Sequence, residues 1–120
     1  MKKVLIVDDA SFMRLSLRTM FENSGFEVAG EAGNGLEAIK LYAKLRPDVV
    51  TMDITMPELD GIQALKSILD IDKNAKVVIL SAMGQEERVK EAILAGAKTF
   101  IVKPFKEEHL IQTLNKIANN

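Results

Sequence analysis

The sequence predicts an open α/β sandwich, five parallel strands in one sheet with helices on both faces. Three observations point there. Short apolar runs recur at Val4–Val7, Val28–Ala29 with its flanks, Val49–Met52, Val77–Leu80 and Phe100–Val102. The runs are rich in β-branched residues and lack polar alternation, as strands covered on both faces do. A stretch of helical period follows each run, and alternating strand and helix account for the regular spacing without any shared repeat motif.

Each element has its own support. After the first strand, Phe12, Met13, Ser16, Leu17, Met20 and Phe21 share one helical face, with Arg14 and Arg18 predicted to point outward. Gly25 just past this helix and Pro47 just past the second are ordinary stops. The glycines of Gly30-Glu-Ala-Gly-Asn-Gly35 read as a turn leading into the second helix, whose inner face carries Leu36, Ile39 and Tyr42. Asp60-Gly61 opens a third helix with Ile62, Leu65, Ile68 and Leu69 inward, and Ala95-Gly96-Ala97 closes the fourth. The fifth places Leu110, Ile111, Leu114 and Ile117 at helical spacing, with the lone His109 exposed on its first turn.

Composition narrows the function. The 120 residues suit one domain, and no linker, charge block or low-complexity tract divides residues 1–120. A hydrophobic fraction of 48% with 28% charged residues describes a folded globular domain rather than a disordered one. A formal net charge of −1 gives no electrostatic case for nucleic acid or an anionic membrane. Cysteine is absent, which removes disulfides, thiolate metal sites and cysteine nucleophiles. The run Val4–Val7 stops at Asp8-Asp9, too short for a signal peptide, and no apolar run approaches a membrane span. The expected location is the cytoplasm.

In such sheets ligands bind beyond the carboxyl ends of the strands. There the sequence places Asp8-Asp9 after the first strand, Asp53 after the third, Ser81-Ala82 after the fourth and Lys103-Pro104 after the fifth. Each alone reads as a cap, a turn former or a surface charge. Together, three carboxylates repel one another unless a cation sits among them, and an all-oxygen set suits Mg2+ far better than Zn2+. Lys103 beyond Asp53 then makes sense if further negative charge arrives there, and a phosphoryl group accepting a hydrogen bond from Ser81 fits. The glycines at 30, 33 and 35 run in the wrong order for a dinucleotide fingerprint, and no P-loop motif exists.

The ordered set Val4-Leu-Ile-Val-Asp-Asp9, Asp53-Ile-Thr-Met-Pro57 with Asp60-Gly61, Ser81-Ala82 and Lys103-Pro104-Phe105 resembles the receiver domain of two-component response regulators. More narrowly, Asp9-Ala-Ser-Phe-Met-Arg14, Thr51-Met-Asp-Ile-Thr-Met-Pro57, Ser81-Ala-Met-Gly-Gln85 and Phe100-Ile-Val-Lys-Pro-Phe105 look like the CheY-type chemotaxis regulators. The resemblance covers essentially the whole chain. It implies a flavodoxin-like three-layer sandwich with strand order 2-1-3-4-5 and five helices. It further implies Asp53 as phosphoacceptor, Mg2+ held by Asp9, Asp53 and the Thr55 backbone carbonyl with Asp8 acting mainly through water, Lys103 as the conserved cation of the family, and Ser81 with Phe100 as switch residues. Phe100 stands where many members carry Tyr, so no contact through a ring hydroxyl is available.

The implied reaction moves a phosphoryl group from a histidine kinase (CheA-like) phosphohistidine, or a small acyl phosphate, to Asp53. On that resemblance the protein is expected to catalyse its own phosphorylation and slow dephosphorylation and otherwise not to be an enzyme. An aspartyl-phosphate phosphatase is the main rival, but Thr55 occupies the place of its acid/base Asp. A flavodoxin-like electron carrier is a second, disfavoured by one Tyr, no Trp and an acidic edge. Implied output is a change of the surface formed by the fourth helix, fifth strand and fifth helix. The partner is a flagellar switch protein or another downstream target, with a phosphatase as a further partner, and the protein is expected to be a monomer. A receiver of a different phosphorelay, or one excised from a larger regulator, is the alternative.

Overall fold

The computed structural model describes residues 1–56 and 59–120; Pro57 of the predicted motif lies outside them. The strands are β1 (Lys3–Val7), β2 (Glu27–Ala32), β3 (Val49–Asp53), β4 (Val77–Ala82) and β5 (Thr99–Lys103). Between and after them run α1 (Ser11–Asn23), α2 (Gly35–Leu45), α3 (Gly61–Ile71), α4 (Glu86–Ala95) and α5 (Glu107–Ala118). All pairings are parallel and the order is β2-β1-β3-β4-β5, as the family resemblance implied.

Strand alternation divides the core in two. Leu5, Val7, Val50, Met52, Val77 and Ile79 pack under α2, α3 and α4, meeting Tyr42, Leu65, Ile68 and Ala92. Val4, Ile6, Val49, Val78, Leu80 and Ile101 face the other way, onto Leu17 and Phe21 of α1 and Leu110 and Leu114 of α5. Each such side chain, almost wholly removed from water, contributes about 1.5–3 kcal/mol before entropy is counted. Local chemistry sets the helix ends. Asn34 and Asp60 accept hydrogen bonds from the backbone N–H of Glu37 (2.8 Å) and Gln63 (3.0 Å), capping α2 and α3. Gly96 ends α4 at φ 123°, a conformation costly for any residue with a Cβ.

Several expectations need correction. Phe12 is 73% exposed and Ser16 is exposed as well, so the inner face of α1 is narrower than the pattern implied. Leu36 is half exposed, and Gly35, Ala38 and Tyr42 form the buried face of α2. Phe12 and Leu36 both lie in the first turn of their helices. Arg14 and Arg18 do not point into solvent: both donate to Glu31 of β2, at 3.2 and 2.6 Å. Strand β2 is longer than its apolar run, and Gly30 lies within it rather than in a turn. Among the described residues, no helix is long and apolar enough to cross a membrane.

Candidate functional site

The strand order reverses about β1, and the carboxyl ends of β1 and β3 lie side by side there. The alternation that sends Val4 and Ile6 toward α1 and α5 carries on to Asp8. The same parity takes Val49 and Thr51 to Asp53, and Ile101 to Lys103. One face of the sheet therefore ends in two carboxylates and an ammonium. Carboxylate oxygens of Asp8, Asp9 and Asp53 lie within 4.8 Å of one another. Lys103 Nζ reaches across β4 to 3.3 Å from Asp8 Oδ2 and 3.8 Å from Asp53 Oδ1. Asp8 is 1% exposed, and its Oδ1 accepts from the Ala10 N–H at 2.9 Å in the turn that opens α1.

Burial pushes the Asp53 carboxyl up to about 6. The Lys103 ammonium opposes this, Asp8 adds to it, the Thr55 backbone N–H opposes it, and Asp9 adds the last contribution. Desolvation is a larger cause of the rise than repulsion from the neighbouring carboxylates. One ammonium cannot neutralise three carboxylates, and an oxygen-only donor set this tight fits a hard dication such as Mg2+. Asp8 has both oxygens engaged, by Ala10 and Lys103, which leaves Asp9 and Asp53 the freer ligands.

Ser81 follows Leu80 on β4 and so turns to the opposite face, toward α4. Its hydroxyl is fully buried and has no hydrogen-bond partner among the described residues. Such a group costs about 1–3 kcal/mol unless something accepts from it. Ser81 and Phe100 line one cavity of about 480 Å³, together with Met83, Val89, Ile93 and Leu94. The Phe100 ring is 44% exposed, leaving that cavity open beside it. Thr55 is exposed just after β3, and His109 is exposed on α5 as expected.

Three residues escaped the sequence reading. Arg14 Nη1 donates to the Asp8 carbonyl at 2.7 Å, pinning the acidic turn; an arginine on the first turns of a helix that follows an acidic pair was the available signal. Gly61 was read as a helix start and as part of the family motif, with no steric role; an added Cβ there would overlap the Asp53 carbonyl oxygen. Gln85 spans the loops after β3 and β4, a contact no local pattern announces.

Residues 4–115 match the family described as the response regulator receiver domain. Among similar proteins are the chemotaxis protein CheY of Thermotoga maritima, 58% identical over 117 residues and 98% of both chains, and that of Bacillus subtilis, 52% identical with the same coverage. A solved complex of CheX with CheY, BeF3 and Mg2+ from Borrelia burgdorferi contains a similar chain. It has 42% identity and a TM-score of 0.90, over 96% of this chain and 88% of that one.

Proposed function

The chain belongs to the response regulator receiver domain family, closely related to CheY chemotaxis regulators, and from that premise we propose that Asp53 is its phosphoacceptor. The observation that carries this reading is the position of Asp53, half-buried between two other carboxylates with Lys103 Nζ at 3.8 Å. A histidine kinase of the CheA type supplies the phosphoryl group. A carboxylate oxygen of Asp53 forms the new bond to phosphorus while the bond to the kinase imidazole nitrogen, or to the leaving oxygen of an acyl phosphate, breaks. No general base is needed, because a carboxyl with a pKa of about 6 is mostly ionised at pH 7.5.

Asp9, Asp53 and the Thr55 carbonyl, supported by Asp8, would hold Mg2+, which would supply charge neutralisation for the transferring group. Lys103 holds the opposite side by its ammonium charge. Thr55, two residues beyond Asp53, has no acid or base function near neutral pH, so the acyl phosphate persists as a signal requires. That feature separates this reading from a phosphatase.

The Ser81 hydroxyl has no partner among the described residues, and a phosphoryl oxygen gives it an acceptor. Drawn toward the phosphoryl group, Ser81 gives up space into which the Phe100 ring turns from the surface of α4, β5 and α5. A hydrogen bond to a charged oxygen, about 1.5–3 kcal/mol, shifts such an equilibrium roughly ten- to a hundredfold. Its output is the flagellar motor switch in chemotaxis, the reading that CheY relatives at 52–58% identity support. We assign residues 1–120 to one monomeric cytoplasmic receiver unit. The relative solved with CheX supports a further protein partner, a role we assign to a phosphatase.

Incubation with acetyl phosphate and Mg2+ tests the acceptor. One phosphoryl group per chain should load, and chelation of the metal or Asp53→Ala should stop it. Full loading of Asp53→Ala would overturn the assignment.

A further inference from the structure

Gln85 sits immediately before α4 and gives its own helix no side-chain cap. Its amide instead bridges two loops. Oε1 accepts from the Ala82 backbone N–H at 2.7 Å, and Nε2 donates to Thr55 Oγ1 at 2.8 Å, thirty residues away in the chain. One turn later, Arg88 Nη2 donates to Asp60 Oδ2 at 2.9 Å, so the start of α4 is tied to the segment after Asp53 at two points.

The Ala82 N–H is an unusual place for a side chain to cap. In a parallel ladder the N–H and C=O of one residue point to the same neighbouring strand, and the direction alternates along the chain. The Leu80 carbonyl accepts from the Ile54 N–H at 3.3 Å, so Leu80 faces β3. Ala82, two residues on, presents its N–H to that same edge, where Asp53 ends the neighbouring strand. We propose that Gln85 is a positioning residue, a clasp that occupies this donor in the unmodified protein and must let go before an anion is fully held at Asp53. The inference rests on the phosphoacceptor reading and adds an internal competitor to it. A charged oxygen is a better acceptor than a neutral amide, so a phosphoryl group wins the Ala82 N–H. Gln85 then loses its anchor, Thr55 loses its donor, and the first turn of α4 is held through Arg88 and Asp60 alone.

A clasp that is closed in the resting protein lowers apparent anion affinity by the fraction of molecules left open. Beryllofluoride with Mg2+, a stable stand-in for the phosphoryl group, is titrated by NMR into the parent protein, Gln85→Ala and Thr55→Val. Gln85→Ala should reach half-saturation at a beryllofluoride concentration roughly three- to tenfold lower, the size expected for one or two neutral hydrogen bonds. Thr55→Val should show part of that gain, and combining the two should add little to Gln85→Ala alone. In metal-free protein the Ala82 amide should be protected from exchange in the parent and unprotected in Gln85→Ala, a readout independent of loading. General loosening of the loop would weaken binding, the opposite sign. Binding in the parent with equal or weaker binding in Gln85→Ala, or equal Ala82 protection in both, overturns the clasp. Failure of the parent itself to bind removes the phosphoacceptor reading and the clasp with it.

Discussion

Replacing Asp53 with Asn keeps the shape of the side chain and removes its charge, so it isolates the electrostatic cost of the empty acidic site. Burial, opposed by Lys103 and reinforced by Asp8 and Asp9, holds the carboxyl at about 6 against an ordinary value near 3.8. That difference corresponds to about 3 kcal/mol, and screening by water on the open side reduces it to about 2 kcal/mol. The sign follows from linkage. A raised carboxyl binds its proton more tightly in the folded chain, so ionising it costs stability. The cost is absent below about pH 4, grows between pH 4 and 6, and is complete above pH 6. Lys103 keeps Asp8 as a partner at 3.3 Å in the variant, so no ammonium is orphaned. Metal-free Asp53→Asn should therefore match the parent at pH 4 and melt about 8 °C higher at pH 7.5, by calorimetry in a chelating buffer. A difference that is flat with pH, or a variant less stable than the parent at pH 7.5, would refute the reasoning.

Other expectations are as direct. Gly61→Ala forces a Cβ onto the Asp53 carbonyl oxygen, and chemical denaturation should show a loss of about 2–3 kcal/mol together with slower acceptance of phosphoryl groups. Ser81→Ala removes a buried hydroxyl that has no partner, so stability should stay level or rise by up to about 1 kcal/mol. The same variant should still load beryllofluoride while losing the NMR shifts around Phe100 and α4; unchanged shifts would move the coupling to other residues. Asp9→Ala should abolish the rise in melting temperature that Mg2+ gives the parent, measured across a metal titration.

The strands were legible because both faces of the sheet are covered, which leaves continuous apolar runs that stand out from their surroundings. The site was legible for a related reason. Asp8 follows β1 while Asp53 and Lys103 end β3 and β5, and a parallel sheet brings all carboxyl ends of its strands to one edge. Helix faces were read less well. Period alone placed Phe12 and Leu36 inward, yet both meet water, whereas Ile62 at the same position of α3 is buried; a helix's period does not say which of its flanks the sheet covers. Charge alone placed Arg14 and Arg18 outward, yet β2, at the sheet edge, offers Glu31 as a partner, and only the β1–β2 pairing reveals that. The long-range role of Gln85 was invisible for the same reason. Its partners are Ala82, the last residue of β4, and Thr55, in the loop after β3, whose proximity is set by the sheet and by nothing local.

The claim on which the account depends is that Asp53 carries the phosphoryl group. Borohydride reduces an aspartyl phosphate to homoserine, so protein loaded from acetyl phosphate with Mg2+ can be trapped, digested and sequenced by mass spectrometry. Homoserine at position 53 alone, absent when Mg2+ is chelated, is the predicted result. Homoserine at position 8 or 9 with position 53 intact would contradict the account, as would stable loading that leaves all three aspartates unreduced.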